Sequence, residues 1–303
     1  MTGFSTTRIL SALAVLGISL TVLPETSAQL MVELKLDKTT HVMGEDVTGK
    51  IVVFNRSGRD IILDGPGNQS WLAVNLTNPA GQLVSKAQEK HAEQSVILRA
   101  GSALERQIVV NDYIEFDDYG NYGITASVYF PEKRAFFASN RERIDINDGQ
   151  VFWEQVVGVP RGQLGAGSYR KYQLLNFNTT ERTELFVRIR DNTGHFEYGT
   201  FSLGTIILYR DPQVTVDGDN NLNVLYMTAP RTYRHVTINT NGKIVNQKIY
   251  EEEGSNRPRM LVSKTGLINI RGGYLKEKAP AVAPGEERKE LIRNISDRRI
   301  PGQ

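Results

Sequence analysis

The chain has 303 residues, 40% of them hydrophobic and 23% charged, long enough for two ordinary domains with sizeable cores. Its formal net charge of +2 at pH 7 is too small to favour nucleic acid or an anionic membrane as a general partner. Cysteine is absent, which removes thiol catalysis, thiolate metal sites, haem attachment and disulfides.

Residues 1–28 differ in character from the rest. Arg8 supplies a positive n-region, Ile9 to Leu20 form an apolar h-region, and Thr26-Ser27-Ala28 places small residues at the −3 and −1 positions of a cleavage site. This is the layout of a secretory signal peptide, with cleavage expected after Ala28. The apolar run is shorter than the ~20 residues that span a bilayer, and no cysteine near the site offers a lipid attachment point. Loss of Arg8 and Glu25 leaves the net charge unchanged. No later segment approaches spanning length, so the mature chain is expected to be secreted or periplasmic, without a transmembrane segment. A signal peptide on a cysteine-free chain fits a bacterial envelope protein. Asn-x-Ser/Thr sequons at Asn55, Asn68, Asn75, Asn178 and Asn294 are read as chance matches in a Ser/Thr-rich β protein.

From residue 29 to 150 the signals are those of short strands. Val32 to Leu36 alternates apolar and polar side chains, Val47 to Phe54 follows, and Asn55-Arg56-Ser57-Gly58 makes a tight turn. Asp60 to Leu63, Trp71 to Leu76, Ser95 to Leu98, Leu104 to Val110, Tyr122 to Phe130, Ala135 to Ser139 and Arg141 to Ile146 complete the set. Turn residues recur every ten or so positions and no helical period is present, which predicts an antiparallel sandwich. Alternation with Ala73 places Trp71 in the core rather than at an interface. The acidic run Asn111 to Tyr119 is read as a solvated connection whose Tyr and Phe rings cap one end of the sandwich, against the alternative of an acidic loop gripping a cation or polycation.

Three segments of this region carry a resemblance. Leu36-Asp37-Lys38, Met43-Gly44-Glu45-Asp46-Val47 and Val53-Phe54-Asn55-Arg56-Ser57-Gly58 resemble the opening of bacterial immunoglobulin-like and macroglobulin-type domains, and Asp117 to Tyr122 looks like the lead into one of their late strands. The likeness covers about 115 residues and lacks the immunoglobulin cysteine pair. It implies a spacer or interaction module, and fold alone does not fix a function.

Residues 151–168 read as a junction. Val151 to Val159 is an apolar strand ended by Pro160, and Arg161 to Ser168 contains three glycines, taken as an interdomain linker. No phosphate-binding pattern is present in it. Trp153 is expected at the junction or on the first strand of the second unit. From 169 to 274 the chain reads as hairpins: Tyr172 to Phe177 with Thr183 to Arg190, Phe201 to Tyr209, and Arg234 to Asn239 with Lys243 to Tyr250 across Asn241-Gly242. A pattern recurs 46 residues apart: Asp211-Pro212-Gln213-Val214-Thr215-Val216 with Leu222-Asn223-Val224, then Arg257-Pro258-Arg259-Met260-Leu261-Val262 with Leu267-Ile268-Asn269-Ile270. This order resembles single blades of β-propellers, and implies two blades and a fraction, too few for a closed ring. The blade-like sheets are therefore expected to stack on the first domain, the alternative being self-association through their edges. Asp217, Asp219 and Asn221 alternate as in a calcium loop, but position 12 falls on Thr228 and no helices flank the turn, so a polar hairpin tip is expected.

The tail, 275–303, has a linker composition followed by Glu286, Glu287 and Glu290 ahead of Arg288, Lys289 and Arg293. It is expected to be disordered or a short docked helix. His41, His91, His195 and His235 are isolated in sequence, and no HExxH, G-x-S-x-G or Asp-box turn occurs. No catalytic, cofactor-binding or metal residue is assigned. The sequence thus predicts an all-β envelope or secreted protein, non-enzymatic, binding a protein or polysaccharide. The alternatives are a polysaccharide hydrolase with paired carboxylates and a subunit of a larger assembly.

Overall fold

The computed structural model describes residues 30–277 apart from 68, 85–93, 117 and 164, together with the backbone of 291–294. The signal-peptide reading, His91 and Asn68 lie outside the described residues. The protein is all-β, with several antiparallel sheets and a single short 3-10 turn at Val110–Asp112 among the described residues. The first unit is built from β1 (Leu30–Leu36), β2 (Thr40–Val42), β3 (Thr48–Asn55), β4 (Ile61–Leu63), β5 (Leu72–Thr77), β6 (Val96–Leu98), β7 (Ser102–Val109), β8 (Gly120–Phe130) and β9 (Ala135–Asn147). One sheet runs β1-β3-β7, the other β2-β9-β8-β5, with β4 and β6 paired beside them. Alternation along β1 turns Leu30, Val32, Leu34 and Leu36 inward. There they meet Ile51 and Leu104 of their own sheet and Val74, Ile124 and Val128 of the facing one. Each such side chain contributes roughly 1.5–3 kcal/mol by leaving water, which lets the unit stand without disulfides.

Trp71 lies in this core as expected, and its Nε1–H donates to the Gln94 carbonyl at 2.9 Å. The acidic connection also behaves as expected at its apolar positions: Tyr113 and Ile114 enter the core and Phe116 packs against it. Two expectations fail. The segments 135–139 and 141–146 are one continuous strand, β9. The pairing of β2 with β9 is parallel, with Thr40 opposite Asp145, so the unit is not wholly antiparallel. Residues 37–39 pass the chain from one sheet to the other rather than back along β1, and periodicity holds no information on strand direction.

The second unit begins at β10 (Gln150–Gly158), followed by β11 (Tyr169–Asn178), β12 (Thr183–Asp191) and β13 (Glu197–Thr205), a meander in chain order. Then come β14 (Gln213–Val216), β15 (Leu222–Ala229), β16 (Thr232–Ile238), β17 (Ile244–Glu251), a separate hairpin of β18 (Arg259–Val262) and β19 (Ile268–Arg271), and β20 (Tyr274–Glu277). The second sheet runs β14-β15-β16-β17-β20. The Gly-rich stretch expected to be a linker is instead the tip of the β10–β11 hairpin: Gly158 pairs with Tyr169, and the Val159 amide donates to the Ser168 carbonyl. Glycines look alike in a linker and in a turn that needs positive φ, and Gly162, Gly165 and Gly167 all have it.

The two meander sheets bury their faces chiefly against each other. Tyr172, Leu174, Leu185, Val187 and Ile189 meet Leu222, Val224, Tyr226, Val236 and Ile238, with Trp153 packed beside them. The expected stacking on the first unit is confined to a smaller cluster, in which Val42 meets Leu175, Phe177 and Phe186 on the other face of β11 and β12. Arg188 is buried next to it, with one nitrogen donating to Asp148 Oδ1 at 2.7 Å and to the Met43 carbonyl at 3.0 Å. Tyr119 donates to the same carboxylate at 3.1 Å. Burial alone would raise the Asp148 pKa; Arg188 and Tyr119 outweigh it and hold the group below its ordinary value.

The tail also departs from expectation. Residues 274–277 form β20 on the edge of the second sheet, and β21 (Leu291–Asn294) is neither helix nor coil. It pairs antiparallel with β7 and extends the first sheet of the first unit.

Candidate functional site: a polar cleft under the second hairpin

Strands β15, β16 and β17 present two faces. Even-numbered residues of β15 and β16 enter the core between the sheets. The opposite face turns toward the β18–β19 hairpin, which covers part of it. Leu225, Met227 and Tyr233 are buried there with Met260 and Ile270 of the hairpin packed against them. Beyond this apolar ridge the sheet and hairpin diverge to leave a cleft of about 590 Å³. Its floor carries Asn223, His235, Thr237, Asn246, Lys248 and Tyr250, and its roof is residues 265–270.

The cleft is closed at one end by the tips of the two repeated hairpins, where the Gly218 amide donates to the Gly266 carbonyl at 3.2 Å. The repeat seen in the sequence thus has a physical role: two like hairpins meet tip to tip. The Asp217 turn is the expected hairpin tip. Its Oδ1 accepts from the amides of Asp219 and Asn221, and its Oδ2 from the side chains of Asn221 and Asn223. Tyr172 reaches up from the inter-sheet core to donate to the Asn220 carbonyl at 2.8 Å, which fixes the tip on the sheet below.

The floor nearest that tip is a satisfied network. Asn223, 2% exposed, accepts through Oδ1 from His235 Nε2 at 3.1 Å and from the Thr237 hydroxyl at 2.8 Å. Because Nε2 carries the donated proton, Nδ1 of the neutral ring is an acceptor. Burial, reinforced by the Lys248 charge, pushes His235 down to about 4, so the ring is neutral at pH 7. The far half of the cleft is different. Asn246, Lys248, Tyr250 and Asn269 line it and make no side-chain hydrogen bond among the described residues. The cleft therefore pairs a rigid polar base with side chains that have donors and acceptors to offer.

Of these residues, only Asp217, Asp219 and Asn221 stand out in the sequence as a candidate ligand set, and His235 reads there as isolated. The signal was present in Asn223, a polar residue set among apolar neighbours in β15. Of the other histidines, His41 is buried where the two units meet, its Nε2 3.1 Å from the Lys38 carbonyl, and His195 lies on the exposed β12–β13 turn. No group of three or more His, Asp or Glu able to hold a metal occurs among the described residues. No helix among them is long and apolar enough to cross a membrane.

No family model matches the sequence, and no curated protein matches it. Among solved structures the chain has a weak likeness to Spo0M, the sporulation control protein of Bacillus subtilis: TM-score 0.28 and 10% identity over 58% of this chain and 91% of that one. A likeness of that size carries no argument about fold details or role.

Proposed function

We propose that the chain is an exported, non-catalytic binding protein of the bacterial envelope, whose polar cleft takes a segment of neutral polysaccharide. The observation that carries this reading is the unspent set Asn246, Lys248, Tyr250 and Asn269 beside a fixed Asn223–His235–Thr237 base. Amides and hydroxyls both donate and accept, as sugar hydroxyls do, and a half-buried tyrosine offers a face for a pyranose ring. At about 590 Å³ the cleft falls in the size range of small-ligand sites, but its polar lining sets it apart from the usual apolar pocket. The first unit, with its resemblance to immunoglobulin-like and macroglobulin-type modules, acts in this reading as a rigid spacer. Export rests on the signal-peptide pattern of residues 1–28.

Carboxylate behaviour favours binding over hydrolysis. Glycoside cleavage needs one carboxyl kept protonated near neutrality beside an ionised one. Among the described residues, the carboxyl groups with displaced pKa values, Glu45, Asp148, Glu154, Asp191 and Glu251, are all displaced downward. In the cleft, Asp217 is occupied by four donors.

Co-sedimentation of residues 29–303 with insoluble cellulose, chitin and cross-linked dextran tests the proposal. Binding to at least one is expected, weakened roughly 10-fold or more by the double substitution Asn246→Ala and Asn269→Ala, the effect of losing one or two good hydrogen bonds. Absence of binding to all three overturns it, and release of new reducing ends would mark an enzyme instead.

A further inference from the structure

The face that carries the cleft continues past the apolar ridge into a second site. Reading every second residue along three strands gives the same sequence of environments. On β15 the series is Asn223, Leu225, Met227; on β16 and the turn before it, His235, Tyr233, Arg231; on β17 and just beyond it, Lys248, Tyr250, Glu252. The first member of each lines the polar cleft. The second belongs to the ridge. The third lines a separate notch of about 380 Å³.

We infer that this notch binds a small organic carboxylate with an apolar body. Its floor is Met227 and Ile207, the ends of the buried ridge cluster. One wall is Tyr209, a large aromatic residue that is 78% exposed, with an apolar neighbour, Leu208, also in the open. An exposed ring next to an apolar floor is a surface that gains by being covered.

The rim supplies the charge. Arg210 lies with its guanidinium 5.5 Å from the Tyr209 ring centroid, and among the described residues it makes no hydrogen bond or ion pair. Arg231 spends one nitrogen on the Glu252 carbonyl at 3.3 Å, which holds it at the rim with its remaining donors available. Glu252 is the one carboxylate in the lining, and its Oε1 accepts from the Tyr233 hydroxyl at 2.7 Å. Within the lining two guanidinium groups face one carboxylate, a surplus of one positive charge; just outside it Glu251 lies within electrostatic reach of Arg231, and Arg257 within reach of Tyr233. That surplus matches a monoanion such as a carboxylate better than a doubly charged phosphate, and the planar guanidinium fork suits a carboxylate's two oxygens. The small volume, near the lower limit for ligand pockets, restricts the body to one ring or a short chain.

The inference does not depend on the saccharide reading, since the two sites share no lining residue. Titration of residues 29–303 with 3-phenylpropanoate and with octanoate, by calorimetry and by methyl and amide NMR shifts, tests it. Saturable binding of at least one acid is expected, with shifts at Met227 and Tyr209 and none at Asn246. Arg210→Gln with Arg231→Gln is expected to weaken it roughly 10- to 100-fold, the range for a hydrogen bond to a charged group. The neutral analogue 3-phenylpropanamide is expected to bind correspondingly less well than 3-phenylpropanoate. Both arginines are on the rim, so the double variant keeps the fold, which its amide spectrum checks. Equal affinity for acid and amide, an unchanged affinity in the double variant, or no saturable binding at millimolar ligand would each overturn the inference.

Discussion

His235 shows how one side chain couples burial to pH. Its folded pKa of about 4 lies below the ordinary imidazole value of 6.5, so the unfolded chain takes up its proton first as pH falls. Stability from this group is therefore fully present above pH 6.5, is lost as pH falls from 6.5 to 4, and falls no further below that. The full effect is about 3 kcal/mol at ~1.4 kcal/mol per pKa unit. Urea unfolding at pH 7 and pH 5 should show about half of it, and His235→Gln should flatten the dependence across that window. The downward-shifted carboxylates act at lower pH: Glu45, depressed from 4.5, loses its contribution only as pH falls below that value. Asn223 carries a different load. Replacing it with Leu leaves the Thr237 hydroxyl and the His235 N–H without their partner and removes one of the two donors to Asp217 Oδ2. A destabilisation of about 3 kcal/mol is expected, from a cost of ~1–3 kcal/mol for each buried group left unsatisfied. A thermal melt of Asn223→Leu checks it; a loss under about 1 kcal/mol would mean that water replaces the amide.

Among the elements, the two repeated hairpins matter through the contact of their tips. Gly266 has φ +78°, and a Cβ there would meet the Gly218 amide nitrogen at 2.8 Å, backbone that has no room to give. Gly266→Val is expected to cost about 1–3 kcal/mol in backbone strain and to prise the tips apart, opening the closed end of the cleft. Gly254→Ala provides the control: it also has positive φ but open space around it. Polysaccharide binding should fall in the first variant and persist in the second. Equal binding in both would show that the tip contact does not shape the cleft.

At the level of the whole molecule, the two units are joined by more than a short connection between β9 and β10. Arg188 from β12 is buried with Asp148 and the Met43 carbonyl. Gly44 passes so close to Glu197 that a Cβ would fall 1.8 Å from its carboxylate oxygen. Breaking a buried pair by removing one partner costs ~3–5 kcal/mol. Asp148 keeps 42% of its side chain in solvent, so about 2 kcal/mol is expected for Asp148→Ala after screening. The variant should also loosen the join, seen as a larger radius of gyration or as two resolved unfolding transitions. The β7–β21 pairing makes a second long-range tie. Deleting 278–303 should raise hydrogen exchange at residues 102–105 and expose a strand edge open to pairing with another chain. Unchanged exchange there would mean that β21 does not hold that edge in solution.

Much of this organisation was legible one segment at a time. The alternation in Val32 to Leu36, the Asn241-Gly242 turn, the burial of Trp71 and the recurrence at Asp211 and Arg257 each depend on neighbours within a few residues, because side-chain period and turn chemistry are local properties. What the tertiary structure alone decided are the relations between distant segments. These are the parallel β2–β9 pair, the packing of the two meander sheets on each other, and the return of β21 to β7. The Gly-rich stretch belongs with them, since the same glycines serve a linker or a hairpin and only the pairing of β10 with β11 distinguishes them. So does the cleft, whose Asn223, His235 and Lys248 come from three strands and acquire a common environment only when the second hairpin folds over them. A sequence records which faces are apolar; which faces meet depends on the free energy of the whole packed chain, to which no single segment has access.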